Sequence, residues 1–466
     1  MRKLPRKAPA GITPARYEAF MLLLEMENSS HAHADELLRR PRLSELSTLD
    51  RNLCTTLVMG TLRWQLHIDS AIRTLLSKPN ARLDSAIQIA LRLGTFQLHY
   101  LDRIPAHAAI SESVNLAKIA GHQHASRMVN AVLRRIAERP RPASLPSSPS
   151  PEQLAEATAH PLWLVERWAA NYGLEQARAI CEHGQQQPEL SLRLESREAE
   201  AELAVNGMQL APGAILTDAR RILNGDVTAT EAFQSGRVRI QEEGSQLIAE
   251  LSGGVTPLPR RILDCCAAPG GKTLILAELN PQAQITACEI NLARLEALKA
   301  RISASPYATR IEVRQADAAE PEEIDSYDLV LADVPCSGTG TLGRNPEIRH
   351  RLQPADLVRH HERQCAILHG ALRASTGRVI YSTCSLEPEE NSAVVAEVLA
   401  QSPGWRQIPV SEVIKKLQKE GRLTSQGSER LKNAVAPDGS LTLLPGSLGP
   451  EAPTDGFFIA VLEKQK

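Results

Sequence analysis

From Arg260 onward, short apolar runs alternate with helical segments, and the first run enters a glycine loop, DCCAAPGGKT (264–273). This alternation predicts a parallel sheet with helices on both faces. The residues that follow the strands are therefore expected to meet in one crevice. The five predicted strands are RILDC (261–265), QITACEI (284–290), IEVRQAD (311–317), DLVLAD (328–333) and GRVIYST (377–383). The last segment, TDGFFIAVLEK (454–464), is predicted to be an antiparallel edge strand.

The first part of the chain, residues 14–139, is predicted to be all helix. The stretch 14–27 has helical periodicity, which places on one face Ala15, Ala19, Leu22, Leu23 and Met26. Four more helical runs follow, at 49–76, 85–101, 107–120 and 125–137. No strand pattern intervenes, so this part favours an all-α domain.

The chain has 466 residues, which is too long for one compact core, so several domains are expected. A stretch rich in Pro and Ser at 139–153 has the composition of a linker. The segment after it mixes helical runs with short alternating strands, which indicates a small α+β region. We therefore predict four parts: a helical domain (1–140), a linker (141–153), a small α+β segment (154–250) and an α/β domain (251–466).

The charge is unevenly distributed, although the net charge is only −1. Residues 1–140 carry 20 Lys and Arg against 12 Asp and Glu, a balance of +8, and the rest of the chain carries −9. A basic front half on an acidic body is typical of a protein that binds a polyanion; the alternative is an ordinary solvated helical surface. No apolar run of about 18 residues and no secretory signal is present, so we expect a cytoplasmic protein that does not bind membranes.

Eight cysteines are scattered along the chain. None follows a zinc-binding spacing, so no metal is expected. Free thiols are the rule in a reducing cytosol, and most free cysteines are small buried hydrophobes. We predict that role for Cys54, Cys181, Cys265, Cys288 and Cys365.

The glycine loop is predicted to cradle a nucleotide-like cofactor. Small residues let the backbone approach a ligand, and the N-terminus of the following helix favours a carboxylate. Two acids end the next strands: Glu289, expected to hold ribose hydroxyls, and Asp317, expected to reach an adenine amine. The alternative is that both acids are ordinary loop or cap residues. The loop residues assigned to the cofactor are Cys266, Ala267, Ala268, Pro269, Gly270, Gly271 and Lys272.

The remaining two cysteines begin polar loops after the fourth and fifth strands. Cys336 lies in DVPCSGTG (333–340) and Cys384 in YSTCSLEPEEN (381–391). Neighbouring strand ends would bring them together over the cofactor crevice. One thiolate would add to C6 of a cytosine so that C5 takes a methyl group from a sulfonium donor. The other would help to remove the C5 proton or to break the adduct, and Asp333 would bind the base edge.

The glycine loop and both cysteine motifs together closely resemble the RNA cytosine-C5 methyltransferase family, over residues 155–464. The resemblance implies a Rossmann-like class I methyltransferase domain that uses S-adenosylmethionine. It implies that Cys384 is the nucleophile and that Cys336 assists release. By motif match, the cofactor contacts are the loop residues named above with Glu289, Asp317 and Asp333.

The run LRLGTFQLHYLDRIPAHAAISESVNLAKIAG (91–121), ahead of SRMVNAVLRR (126–135), resembles the helical RNA-binding domain of the NusB family. The two resemblances together imply methylation of a cytidine in small-subunit (16S) ribosomal RNA by a monomer. Two alternatives stay open: the same chemistry on transfer RNA, and a non-catalytic RNA-binding or antitermination scaffold. A DNA-type enzyme, which attacks with the cysteine of the PC motif, is disfavoured because it needs no second cysteine.

Overall fold

The computed structural model describes residues 5, 7–29, 32–79, 82–139, 145–253, 258–449 and 452–465. Its internal contacts divide the chain into two units. Unit 1 comprises Met1–Gln186 and Leu342–Arg351, and unit 2 comprises Gln187–Thr341 and Leu352–Lys466. Residues 140–144, which include the start of the predicted linker, lie outside the described residues. The predicted four-part division of the chain stays a prediction.

Every regular element that the structure describes within residues 14–139 is a helix, as predicted, and helices continue up to Gln185. The helices are α1 (Pro14–Asn28), α2 (Ala34–Leu38), α3 (Pro41–Ser44), α4 (Thr48–Arg73), α5 (Ser85–Tyr100), α6 (Ala106–Ile119), α7 (Ser126–Ala137), α8 (Pro151–Ala157), α9 (Leu162–Tyr172) and α10 (Leu174–Gln185). The predicted apolar face of α1 is buried, and half of its other side chains are buried too. Helices α4 and α5 pack closely because Gly60 has no side chain: a Cβ there would lie 1.9 Å from the Phe96 ring.

Unit 2 contains two sheets joined by helices. Its helices are α11 (Arg197–Val205), α12 (Glu231–Gln234), α13 (Glu243–Gly253), α14 (Gly271–Leu279), α15 (Leu292–Ser303), then, after α16 (Ile348–Arg351) of unit 1, α17 (Pro354–Ala374), α18 (Ser392–Ala400), α19 (Val410–Lys419) and α20 (Ser425–Asn433). Its strands are β1 (Ser191–Leu194), β2 (Gln209–Pro212), β3 (Ala219–Asn224), β4 (Val238–Ile240), β5 (Arg261–Asp264), β6 (Gln284–Cys288), β7 (Ile311–Arg314), β8 (Tyr327–Asp333), β9 (Ser375–Thr383), β10 (Trp405–Ile408), β11 (Leu441–Leu443) and β12 (Phe457–Lys464).

The smaller sheet has the order β2-β3-β1-β4 and is antiparallel. The short alternating strands of this region are predicted at 190–196 and 237–246, which contain β1 and β4, but β2 and β3 are not predicted. A buried ion cluster joins this sheet to the helices behind it: Arg193 contacts Glu250 at 2.5 Å and Glu278 at 2.6 Å. Within each pair the guanidinium and the carboxylate neutralise one another's charge in apolar surroundings. Loss of one partner would therefore leave an uncompensated buried charge.

The larger sheet has the order β10-β12-β9-β8-β5-β6-β7, with β11 paired to β12. The five predicted strands, β5 to β9, are parallel to one another, and this confirms the predicted alternation. Strands β8 and β9 are neighbours, with Asp333 paired to Ser382 at their carboxyl ends. The sheet therefore brings the loops after β8 and β9 to the same edge.

One strand prediction is wrong in part. β12 is antiparallel to β9, as expected, but it is not an edge strand because β10 pairs with its other side. Strand β10, WRQI, is only four residues long and lacks an alternating apolar pattern, so it is not predicted from the sequence. β12 is therefore a central strand, and its run of buried apolar side chains is typical of that position.

The ten residues Leu342–Arg351 are part of unit 1, although both flanking segments belong to unit 2. Within unit 1, the buried Arg349 donates hydrogen bonds to the backbone carbonyls of Arg63 at 3.1 Å and Gly184 at 3.0 Å. Arg63 in turn donates to the carbonyl of Gly343 at 2.8 Å. The decapeptide is thus held by buried guanidinium groups rather than by apolar packing alone.

Two further predictions concern the scattered cysteines and membrane-spanning helices. The five cysteines predicted to be small buried hydrophobes are all buried and unbridged. Among the described residues, no helix is both long and apolar enough to cross a membrane.

Candidate active site

The glycine loop connects β5 to α14 through a sharp turn. Gly270 has φ +95°, a left-handed conformation that glycine adopts without steric cost. A Cβ there would lie 2.8 Å from the Leu298 side chain. Gly271 begins α14, so the N–H groups of the first helical turn point toward the glycine loop. Such a helix start attracts a carboxylate or another anion.

Lys272 and Asp333 join the glycine loop to the end of β8. The Lys272 Nζ lies 2.7 Å from one oxygen of Asp333, and the Ser382 hydroxyl donates to the other at 2.7 Å. Burial acts against the ammonium of Lys272, but the Asp333 carboxylate more than offsets it, so the pKa of Lys272 lies above its usual value. Asp333 is therefore held in one orientation beside a fixed positive charge.

Glu289 directly follows β6, as expected, but β7 ends at Arg314, so Asp317 lies in the loop three residues beyond that strand. Glu289 is buried, accepts a hydrogen bond from the Asn291 amide at 2.8 Å and lies 3.5 Å from Arg294. Asp317 is paired with Arg363 at 2.5 Å, and this hydrogen bond holds the pKa of Asp317 below its usual value. Each acid is thus held in a fixed orientation. Their contacts with a cofactor stay predictions.

The two cysteines after β8 and β9 lie together. The Sγ atoms of Cys336 and Cys384 are 3.3 Å apart, which confirms the predicted proximity. Both side chains are only partly buried. The Cys384 carbonyl accepts a hydrogen bond from the Gly340 amide at 2.9 Å, and a Cβ on Gly340 would lie 2.8 Å from that carbonyl. Glycine at 340 therefore allows the two loops to approach.

A buried carboxylate that the sequence analysis did not single out holds both cysteine loops. Glu390 accepts hydrogen bonds from the Ser337 amide at 2.8 Å and from Gln364 at 3.0 Å. Its other oxygen accepts from the hydroxyls of Ser337 and Ser385. The two serines follow Cys336 and Cys384 directly, so Glu390 fixes the positions of the two thiols. The motif YSTCSLEPEEN contains Glu390, but nothing local in its sequence shows where the carboxylate points.

The charges around the two thiols differ. The Cys336 pKa lies well above its usual value because the thiol shares a hydrogen bond with Cys384, because its surroundings shield it in part from water and because the Glu390 carboxylate is near. The Lys272 ammonium, by contrast, interacts with Cys384. A nearby anion opposes ionisation of a thiol. The surroundings of Cys336 therefore keep its thiol protonated.

Asp264, at the end of β5 and directly before the glycine loop, is another buried carboxyl group besides Glu390. It accepts a hydrogen bond from the Thr273 hydroxyl at 2.7 Å. Burial raises its pKa to about 7. The group therefore takes up a proton on folding at mildly acidic pH.

This raised pKa makes folding stability depend on pH. Between about pH 4 and pH 7 the native state holds a proton on Asp264 that the unfolded chain has lost, so the free energy of unfolding falls as pH rises. A rise of the Asp264 pKa from its usual value to about 7 corresponds to at most about 4 kcal/mol of unfolding free energy. In thermal melts from pH 4.5 to 8, Asp264→Asn is expected to flatten this decline. An unchanged pH slope in a folded variant would contradict the assignment.

Comparison with known proteins identifies three regions. The model of the family described as 16S rRNA methyltransferase RsmB/F matches residues 258–463. The NusB family model matches residues 13–138. The ferredoxin-like domain of RsmF/B-like methyltransferases matches residues 160–222. The predicted fold class, with a NusB-like helical domain, a small α+β region and a methyltransferase domain, is thereby confirmed.

The chain is similar in sequence and in fold to full-length relatives. It is 33% identical to a probable ribosomal RNA small subunit methyltransferase B of Bacillus subtilis, over 97% of this chain and 99% of the relative. It is 32% identical to ribosomal RNA small subunit methyltransferase B of Pseudomonas putida, over 82% and 88%. The crystal structure of PH0851 has the same fold, with a TM-score of 0.78 at 23% identity, over 99% of this chain and 100% of that chain. The chain belongs to the family of ribosomal RNA small subunit methyltransferase B, and it is a methyltransferase of the RsmB/F type.

Proposed function

We propose that this protein transfers a methyl group from S-adenosylmethionine to C5 of a cytidine in 16S ribosomal RNA through a covalent adduct with Cys384. The observation that carries the proposal is the thiol pair, 3.3 Å apart, beside the Lys272–Asp333 contact of 2.7 Å at the glycine loop. Curated relatives named for small-subunit ribosomal RNA support this substrate. A bacterial ribosomal RNA substrate also agrees with a cytoplasmic location.

The residues around the loop suit S-adenosylmethionine. The helix start at Gly271 favours the carboxylate of the methionine part. The buried Glu289 accepts from the Asn291 amide and lies 3.5 Å from Arg294, which leaves carboxylate lone pairs for ribose hydroxyls. Asp317 keeps one oxygen for an adenine amine while Arg363 holds the other. The cofactor, when bound, supplies an electrophilic methyl group on a sulfonium.

The residues of the crevice account for each bond change. The Cys384 thiolate adds to C6 of the cytosine, so that C5 becomes nucleophilic and forms a bond to the methyl carbon as the carbon–sulfur bond of the donor breaks. Asp333 binds the amino edge or N3 of the base and stabilises the adduct. Once Cys384 is bonded to C6, Cys336 gives up its own proton to solvent and its thiolate takes the C5 proton. The electron pair of that C–H bond then expels Cys384 as thiolate. The base must leave its stack to expose both ring carbons.

Bisulfite sequencing tests the proposal directly. Purified protein and S-adenosylmethionine are incubated with 16S ribosomal RNA and, separately, with transfer RNA from cells that lack the gene. One protected cytosine is expected in the 16S RNA and none in the transfer RNA. Protection in transfer RNA alone would favour the same chemistry on the other substrate. No protection in either would favour a non-catalytic RNA-binding scaffold.

Replacement of Glu289 by alanine is expected to weaken S-adenosylmethionine binding about 100-fold, since two charge-assisted hydrogen bonds of roughly 1.5 kcal/mol each are lost. Titration calorimetry on the full chain measures the dissociation constant. Glu296→Ala, an exposed acid on the next helix, is the matched control and is expected to bind normally. Equal affinity of the two variants would remove Glu289 from the cofactor site.

Exposed arginines on α7 are expected to bind RNA phosphates. Three arginines lie on this helix of the basic front half: Arg127, Arg134 and Arg135. Replacement of all three by glutamate, which reverses their charge, should weaken RNA binding. It should also reduce the steepness of the plot of log K against log salt concentration. The slope should fall by about one for each phosphate that the variant no longer binds.

A matched triple reversal of lysines in unit 2 provides the control, at Lys415, Lys419 and Lys432. Fluorescence anisotropy with a ribosomal RNA fragment at several salt concentrations measures both variants. If the two triple variants lose affinity equally, the effect is net charge alone, and the assignment of the basic front half to RNA is wrong.

A further inference from the structure

A group of three metal-ligand side chains lies outside the crevice described above. His361 and Cys365 are one turn apart on α17, and Glu397 is on the neighbouring α18. The His361 Nε2 is 2.9 Å from the Glu397 carboxylate and 3.6 Å from the Cys365 Sγ. One ligand atom from each residue lies within 4.8 Å of the other two.

The other nitrogen of His361 fixes the state of the ring. Nδ1 is 2.7 Å from the Glu389 carbonyl oxygen. A carbonyl can only accept a hydrogen bond, so Nδ1 must carry the proton. In the neutral ring, Nε2 therefore presents a lone pair to the Glu397 carboxylate, which also presents lone pairs. Two acceptors 2.9 Å apart require a positive charge between them, either a proton or a metal ion.

We propose that His361, Cys365 and Glu397 bind a zinc ion. Zinc bonds of about 2.0 Å to nitrogen and about 2.3 Å to sulfur at a tetrahedral angle place those two ligand atoms about 3.5 Å apart. The observed separation of Nε2 and Sγ is 3.6 Å. The Glu397 side chain is 51% exposed, so it is free to move the few tenths of an ångström that a bound ion requires.

The surroundings of this cluster have other features of a zinc site. The bond from Nδ1 to a backbone carbonyl is the outer contact that orients most metal-bound histidines. A soft thiolate with an imidazole and a carboxylate selects zinc over magnesium or calcium. On binding, the thiol proton of Cys365 leaves to solvent, and a water completes the fourth position. The ion would join α17 to α18, the two helices on either side of the turn that carries Glu390. The sequence patterns missed this set because its third ligand comes from another helix.

Cobalt(II), the spectroscopic substitute for zinc, tests the site in the full chain after treatment with a chelator. Wild-type protein is expected to bind one equivalent, with tetrahedral d–d bands and a thiolate-to-cobalt charge-transfer band that zinc abolishes. Cys365→Ser should lose the charge-transfer band. Cys384→Ser, which removes a thiol from the other cysteine pair, should keep it. Retention of the band in Cys365→Ser, or its loss in Cys384→Ser, would overturn the proposal.

A second measurement does not depend on a substitution in the core. Glu397→Gln changes a largely exposed side chain and is expected to weaken zinc binding about tenfold in competition with a chromophoric chelator. Zinc at a hundredfold excess over its dissociation constant should raise the wild-type melting temperature by about 5 °C, and the rise should disappear in His361→Ala. If zinc leaves the wild-type melt unchanged, the contact is only a His–Glu ion pair, and the proposal fails.

Discussion

Cys384→Ala is expected to lose both methyl transfer and any covalent adduct with RNA, because the Cys384 sulfur forms the bond to C6. Cys336→Ala is expected to attack and transfer the methyl group but to stall before release, with turnover lowered at least 100-fold. The reason lies in the surroundings of the two sulfurs. The Glu390 carboxylate and the Cys384 sulfur raise the pKa of Cys336, so this thiol is poorly suited to attack as a thiolate.

One denaturing gel distinguishes the two roles. Both variants are incubated with 16S RNA and S-adenosylmethionine, and a protein–RNA adduct that survives denaturation is expected for Cys336→Ala alone. Cys365→Ala, which changes a thiol of α17 away from the crevice, serves as the control and should show no adduct. An adduct in Cys384→Ala but not in Cys336→Ala would reverse the assignment and would indicate the DNA-type order of attack.

Replacement of Glu390 by alanine is expected to reduce turnover by about 100- to 1,000-fold. Four donors lose their acceptor, and the Ser337 amide, which is a fixed backbone group, cannot turn to another one. Each buried unsatisfied donor costs about 1–3 kcal/mol. The two cysteine loops would relax apart, and a displacement of about 1 Å at a reacting group is enough for a 100-fold loss.

Glu390 acts through the two loops, so a structural collapse must be distinguished from lost positioning. Glu390→Gln keeps the volume and one acceptor oxygen, and it is expected to recover about tenfold of the lost rate. S-adenosylmethionine binding should stay within about threefold of the wild type in both variants, since the hydrogen bonds of Glu390 go to the cysteine loops and to α17. Exposed Glu429→Gln is the control. Wild-type turnover in Glu390→Ala would show that the cysteine loops do not need this carboxylate.

The sequence was sufficient for the parallel strands and for the proximity of Cys336 and Cys384. Strand and helix periodicities are local properties, and strands that alternate with helices pack in parallel, so their carboxyl ends must share an edge. Two thiols after neighbouring strands are thereby brought together, although 48 residues separate them in the chain. The same argument placed Glu289 correctly after β6, and it placed Asp317 in the loop that follows β7.

The tertiary structure alone decided three other features. Strand β10 lacks a pattern of its own, and it forms because β12 offers it an unpaired edge. Glu390 is one of several acids in its motif, and only the folded turn directs its carboxylate to Ser337 and Ser385. The decapeptide Leu342–Arg351 has the composition of an ordinary loop, and its membership in unit 1 depends on Arg349 meeting carbonyls far away in the chain.

The sequence by itself thus determined the helices of the first part, the five parallel strands and the chemical groups that follow those strands, because these depend on periodicity and on motif chemistry. The tertiary structure determined which side chains hold the reactive cysteines in place. A hydrogen bond between a buried carboxylate and a distant amide depends on the relative positions of two loops, and no local pattern in the chain encodes those positions.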